Sequence, residues 1–210
     1  MKVLHVHRLR GIGGSERHLL ALLPALRARG IDASFLGLDD GDPEPFYDAL
    51  RALEIPHERL RAPRDLDVRL LRAVRRATRA ARPDILHTHL VHADAYGAAA
   101  GTGTLVSTKH NDDPFRRGAF RHVERALTRR AARVICITEA LRRFNRDVVG
   151  LPAGKLEVVH YGLDELPRAP ASVEALGLDP SSRVLLAVAR LVPQKGIDVA
   201  LRALPSVVRA

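Results

Sequence analysis

The 210-residue sequence predicts a doubly wound, mostly parallel α/β sheet, followed by the opening of a second unit of the same kind. Three observations carry this expectation. Short apolar runs alternate with longer amphipathic stretches along most of the chain. Glycine or proline punctuates many of the junctions. Strands separated by helices pair in parallel through right-handed crossovers, which puts helices on both faces of one sheet.

Taken in order, Lys2–His7 reads as a buried strand. Leu19, Leu22, Leu23 and Leu26 share one face of a helix over Ser15–Arg29, stopped by Gly30. Pro24 removes one backbone hydrogen bond inside it, so a kink is expected there. Ala33–Leu38 is the next strand, Glu44–Leu53 a short helix and Pro56–Leu60 a weak edge strand. Asp67–Ala81 is amphipathic and ends before Pro83. Asp84–His89 reads as a strand, Ala93–Gly101 as a helix of small residues and Thr104–Thr108 as a strand. Phe115–Ala131 is a helix, Arg133–Ile137 a strand, Glu139–Val149 a helix and Leu156–His160 a strand. In such sheets ligands bind beyond the carboxyl ends of the strands. The loops there are Arg8–Gly14, Leu90–His92, His110–Pro114, Thr138 and Tyr161–Asp164.

The expected first domain is 1–165. Residues 166–182 carry three prolines and read as a linker with a short helix at Ser172–Leu176. Arg183–Ala189 restarts the pattern as a strand and Ile197–Arg209 as a helix, so 183–210 reads as the first βα unit of an incomplete second domain. One such unit cannot bury its own apolar face. Leu185, Leu186, Val188, Leu201 and Val207 are therefore expected to be partly uncovered.

The composition narrows the function. No apolar run approaches the roughly 20 residues of a membrane span, and the first residues lack the apolar stretch of a secretion signal. A single cysteine, Cys136, excludes an internal disulfide and a multi-cysteine metal site. These features predict a cytoplasmic protein. The net charge is +10, almost all from arginine, which favours anionic partners. With no Trp, 3 Tyr and 5 Phe, the chain lacks the aromatic platforms of single-strand nucleic-acid binders. Arginines at 69, 72, 75, 76, 79 and 82 could lie on an anionic membrane, or be the solvated face of a surface helix.

Several segments could carry chemistry. Gly11-Ile12-Gly13-Gly14-Ser15-Glu16 follows the first strand and opens the first helix, where free amides favour a phosphate. The dinucleotide fingerprint needs glycine at position 16. Glu16 would crowd and repel a pyrophosphate, so nicotinamide binding is not expected. In His87-Thr88-His89-Leu90-Val91-His92, His87 and His89 share one strand face, but no third ligand at firm spacing completes a zinc site. Thr108-Lys109-His110-Asn111-Asp112 puts a histidine beyond a strand end, facing the crevice. Arg190 and Lys195, on the loop before the last helix, could clamp a diphosphate.

Together these segments resemble the retaining glycosyltransferases of the family-4 group, which adopt the GT-B fold of two facing Rossmann-like domains. Gly13-Gly14-Ser15-Glu16 looks like the family's Gly-Gly-x-Glu helix opening. Pro83 to His89 looks like its Asp-Ile-Val-His-x-His strand. Val134 to Ala140, through Val158 to Asp164, looks like its strand–helix–strand ending in Asn-Gly-Val-Asp. Arg190-Leu191 with Pro193-Gln194-Lys195-Gly196 looks like its Gly-Arg-Leu-x-x-x-Lys-Gly loop. The resemblance implies transfer of a sugar from a nucleotide-sugar donor to a sugar, lipid-linked or small-molecule acceptor, with retention at the anomeric carbon.

Carried over by position, the resemblance implies that His110 contacts the transferred sugar, while Arg190 and Lys195 stabilise the leaving diphosphate. Gly13, Gly14, Glu16, His89, Asn111, Thr138, Glu139 and Gly162 would line the substrate site. It implies no metal and no cofactor besides the donor. Ala189 stands where the family has glycine, and His160-Tyr161 precede Gly162 where other residues are usual. The chain stops before the family's downstream Glu-x7-Glu segment, so the 210 residues alone are expected to be inactive or nearly so. The rival expectation is a basic module binding nucleic acid or an anionic membrane. The low aromatic content argues against nucleic acid; peripheral contact with the inner membrane face is compatible with the charge.

Overall fold

β1 (Lys2–Leu9) lies inside a seven-stranded, all-parallel sheet in the computed structural model, which describes residues 1–62, 64, 67–162, 177–179, 181 and 183–209. The other strands are β2 (Asp32–Asp39), β3 (His57–Arg61), β4 (Ile85–His89), β5 (Thr104–Lys109), β6 (Arg133–Cys136) and β7 (Leu156–Val158). Their order is β3-β2-β1-β4-β5-β6-β7. The helices between them are α1 (Gly14–Ala28), α2 (Glu44–Ala52), α3 (Val68–Ala81), α4 (Leu90–Ala100), α5 (Phe120–Thr128) and α6 (Glu139–Phe144).

Strand alternation sorts side chains onto two cores. On one face Leu4, Val6, Leu36 and Leu86 pack with Leu70 and Val74 of α3, Ala93 and Tyr96 of α4, and Leu141 and Phe144 of α6. On the other face Ala33 and Phe35 pack with Leu19 and Leu23 of α1 and with Phe46, Tyr47 and Leu50 of α2. The same alternation turns Val3, His5, Ile85 and His87 toward α1, where they share a cavity lining with His18, Leu22 and Leu26.

The structure departs from several sequence expectations. α4 starts at Leu90, directly after β4, with no loop over Leu90–His92. Leu90 makes this turn with φ +68°, a left-handed conformation that costs a leucine about 1–2 kcal/mol and leaves no glycine signal in the sequence. α1 runs through Pro24 as one helix. The span Phe115–Ala131 is not one helix: a 3₁₀ turn, Pro114–Arg117, is followed after Gly118 by α5. Residues 145–149 continue α6 as a π-type turn closed by Gly150 at φ +78°. Arg183–Ala189 forms no strand, because a strand exists only as a hydrogen-bonded pair and no described segment pairs with it.

Contacts divide the chain into two compact units, 1–164 and 165–210. The second unit contains a 3₁₀ turn, Pro193–Lys195, and α7 (Ile197–Arg209). Leu185, Leu186, Val188, Leu201 and Val207 are all exposed, from 60% to 88%. Leu163, Asp164, the helix expected at Ser172–Leu176 and most of 166–182 lie outside the described residues.

Gly97 sets how closely α4 approaches the sheet. A β-carbon there would lie 2.4 Å from Thr88 Cγ2 and 3.3 Å from Leu105 Cδ1. Thr88 cannot rotate away freely, since its hydroxyl donates to Asp94 Oδ1 at 2.5 Å. Gly97→Ala would gain about 1 kcal/mol of helix propensity and lose about 1–3 kcal/mol to overpacking. A lowered urea midpoint with unchanged slope is the expected result.

Candidate functional site

The sheet changes direction at β1. Strands β2 and β3 run outward on one side, β4 to β7 on the other. Ligands of open α/β sheets bind beyond the carboxyl ends of the strands at this switch point. The β1–β4 register sets His5 beside His87 and His7 beside His89. His18 on α1 and His110 after β5 pack against this block, with ring centroids 6.2 Å apart. Six of the protein's ten histidines therefore converge at one place.

Gly13 and Glu16 build the tip of α1. Glu16 Oε2 accepts from the Gly13 amide at 2.8 Å and from the Ser15 hydroxyl at 3.0 Å. Gly13 has no β-carbon, and one placed there would lie 3.0 Å from that same oxygen. Gly14 borders open space. Glu16 Oε1 lies 2.9 Å from Nε2 of the buried His7, and Nδ1 of His7 lies 3.2 Å from the main-chain oxygen of His89. These partners lower the Glu16 carboxyl to about 2, against the burial that would raise it. Glu16 is thus an internal brace linking the helix tip to β1 and, through His7, to β4.

A second chain of contacts runs through the rings. His5 Nδ1 lies 3.0 Å from His89 Nε2, and His89 Nδ1 lies 3.0 Å from His110 Nε2. His110 Nδ1 bonds the Tyr161 hydroxyl, and Tyr161 stacks on His18 with centroids 4.0 Å apart and 13° between planes. Burial pushes His110 down to about 3 and His87 to about 4, and holds His5 and His89 well below the usual range. Burial, then the charge of Glu16, raises Tyr161 to about 12. These rings are neutral at pH 7.

Beneath the His110 loop lies a buried set of charges. Lys109 Nζ pairs with Asp94 and, at 3.0 Å, with Glu124. Arg116 forks onto both oxygens of Glu124, at 3.0 and 2.6 Å, and also bonds Asn145 and the carbonyl of Asn111. Two cations and two anions, each 4% exposed or less, compensate one another. The Arg116 bond to the Asn111 carbonyl fixes the loop that carries His110.

The structure thus joins Gly13, Glu16, His89 and His110 in one continuous set of contacts, with Asn111 held from below. Thr138 caps α6 through Leu141 N at 3.1 Å, and Glu139 is engaged by Arg142 at 2.7 Å. Both follow β6, and the exposed Gly162 follows Tyr161. Arg190 and Lys195 belong to the second unit, where both side chains are exposed. The sequence reading missed His5, His7, His18 and the contacts of Tyr161 with His110 and His18. Only the strand register brings the first two to His87 and His89. It also missed Asp94, Arg116 and Glu124, which lie far apart in the chain.

Nitrogens of His5, His87 and His89 all lie within 4.8 Å of one another, so a third histidine does complete a possible ligand set. His87 stacks on His89 at 4.4 Å and 28°, however, and His5 Nδ1 already faces His89 Nε2 at the 3.0 Å of a hydrogen bond. Imidazole lone pairs lie in the ring plane, and near-parallel planes do not converge on one ion at the 2.0–2.1 Å of zinc–nitrogen bonds. The geometry is that of a hydrogen-bonded stack.

The depressed groups give stability a definite pH dependence. The unfolded chain binds protons to His87 and His110 below about pH 6.5 and to Glu16 below about 4.5, before the folded chain does. Stability is therefore expected to fall as pH drops from 6.5, and Glu16 adds a further loss between 4.5 and 2. Glu16→Gln should cost on the order of 2 kcal/mol at pH 7 and flatten the lower part of the curve. Urea titrations from pH 8 to 3 measure both; a flat wild-type curve would contradict the neutral, buried rings.

Comparison with known proteins gives this site a setting. The sequence profile of Glycosyltransferase Family 4 matches residues 12–165. A D-inositol 3-phosphate glycosyltransferase of Mycolicibacterium gilvum is 31% identical over an alignment of 142 residues that covers 57% of this chain and 31% of that protein. Among solved structures, Anabaena Alr3699/HepE in complex with UDP superposes with a TM-score of 0.64 at 23% identity, over 78% of this chain and 45% of that one. The same protein has been solved with UDP and glucose and with UDP-glucose. A glycosyltransferase from Rickettsia africae superposes with a TM-score of 0.60 at 14% identity, over 78% and 43%. The chain spans less than half the length of these proteins. With the profile matching most of its residues, including both the α1 tip and the His110 loop, the chain belongs to Glycosyltransferase Family 4.

Proposed function

We propose that this chain supplies the acceptor-side part of an enzyme that moves a sugar from a nucleotide-sugar to an acceptor, with retention of anomeric configuration. The observation that carries this reading is the linkage of the Gly13-Gly14 helix tip to His110 through Glu16, His7 and His89 at the β1/β4 switch point. The helix tip offers its positive dipole end and the Gly14 amide beside a diphosphate, the Gly13 amide being taken by Glu16. His110, fixed from behind by His89, reaches the transferred sugar. Arg190 and Lys195, on the opening of the second unit, neutralise the leaving diphosphate as its charge builds, so no metal is needed for that step. A related fold that binds UDP and glucose supports this class of donor. Because the chain spans less than half of such proteins, we expect turnover by residues 1–210 alone to be slow or absent.

Binding can be tested on the chain as it stands. UDP-glucose titrated into the ¹⁵N-labelled protein is expected to shift the amides of Gly13, Gly14, His110 and Thr138 and to leave the exposed α3 face unmoved. Shifts confined to other surfaces, or none at millimolar ligand, would remove the reading.

No helix among the described residues is long and apolar enough to cross a membrane. α3 nevertheless exposes arginines at 69, 72, 75, 76 and 79, with Arg82 at its end and no acidic residue along its length. We propose that this face meets an anionic membrane surface carrying the acceptor, at about 1 kcal/mol per arginine near the surface. Vesicles of anionic lipid should then retain the protein at low salt and release it at high salt, and neutral vesicles should not retain it. Equal partition to both would refute the contact. The nucleic-acid module is not favoured, since the family match accounts for most of the chain.

A further inference from the structure

Four groups on the α1 side of the sheet stand in one line. The Tyr161 hydroxyl meets His110 Nδ1; His110 Nε2 meets His89 Nδ1 at 3.0 Å; His89 Nε2 meets His5 Nδ1 at 3.0 Å. His5 Nε2, at the inner end, is buried with no hydrogen-bond partner among the described residues. Each nitrogen–nitrogen contact holds one proton, and each neutral imidazole carries one proton on one nitrogen. The three rings must therefore all donate in the same sense. If donation ran inward, the line would end in a buried N–H of His5 with nothing to accept it. If it runs outward, the line ends in a bare nitrogen, and buried N–H groups without an acceptor are the rarer orphan.

We propose that this line locks His110 as a hydrogen-bond donor, its proton on Nδ1 and aimed at the Tyr161 oxygen, so that Tyr161 holds the place of a ligand oxygen. His5 and His89 are then positioning residues, and His110 meets a sugar through one of its oxygens instead of serving as a base. Tyr161 stands where the Asn-Gly-Val-Asp pattern has asparagine. Its phenol is long enough to cover His110 while its ring rests on His18. A sugar reaches His110 by displacing that phenol. The ligand half of this inference rests on the function proposed above; the direction of the line does not.

Long-range ¹H–¹⁵N spectra of the wild-type 210-residue chain at neutral pH report which nitrogen of each histidine carries the proton. His5, His89 and His110 are all expected to be protonated at Nδ1 and bare at Nε2. Protons on Nε2, or opposite senses among the three, would overturn the inference without any variant being made. In Tyr161→Phe the signals of His110, His89 and His5 should move together, while His57, bonded at 2.8 Å to the Ile55 carbonyl elsewhere on the sheet, stays in place. A response at His110 alone would show that the rings are not coupled. In His5→Phe the inner end of the line becomes His89 Nε2, again without an acceptor, so His89 and His110 should keep their protons on Nδ1; an Nε2-protonated form there would show that an orphaned N–H does not set the direction. These spectra contain no ligand. A failure of UDP-glucose to perturb His110 would remove the function and leave the line intact, and a scrambled line would leave the function standing.

Discussion

The register of β1 against β4 is the constraint on which the site depends. In a parallel pair, a slip of one residue turns every side chain to the opposite face. Here Leu4, Val6 and Leu86 must face the larger core, so His5, His7, His87 and His89 must face α1 together. The apolar residues fix the register, and the polar site follows from it. The two central strands thus carry a core on one side and a stack of imidazoles on the other.

Burying so many polar rings is costly unless each finds a partner. The chain meets this through connectivity. Glu16 stands where the dinucleotide fingerprint would have glycine, and its carboxylate binds the Gly13 amide that a phosphate would otherwise meet. It also engages His7 and so ties the helix tip to both central strands. The tip is rigid and partly self-satisfied before any ligand arrives.

The fold was legible because periodicity and punctuation are local. Every strand of the seven-stranded sheet was expected in its place, though β3, His-Glu-Arg-Leu-Arg, only as a weak edge strand, and Gly30 and Pro83 marked real boundaries. Errors fell where tertiary forces overrode local signals. Leu90 turns the chain in a left-handed conformation that no glycine announces, and Gly118 breaks the helix expected over Phe115–Ala131. Of the site, Gly13, Glu16, His89 and His110 were readable from motif and position. His5 and His18 were not, because strand register and helix packing are invisible to spacing along the chain. Arg116 and Glu124 carry no signal in the sequence, and only folding shows them buried.

The four buried charges beneath the His110 loop have a consequence for how this sequence can drift. Lys109, Asp94, Glu124 and Arg116 sum to zero, and removing any one strands a neighbour in a dry interior. Single replacements along any evolutionary path are thereby closed, while compensated pairs stay open. Related proteins should keep the quartet whole or lose it in matched steps, so these four positions, scattered over α4, β5, α5 and the turn before it, behave as one inherited unit.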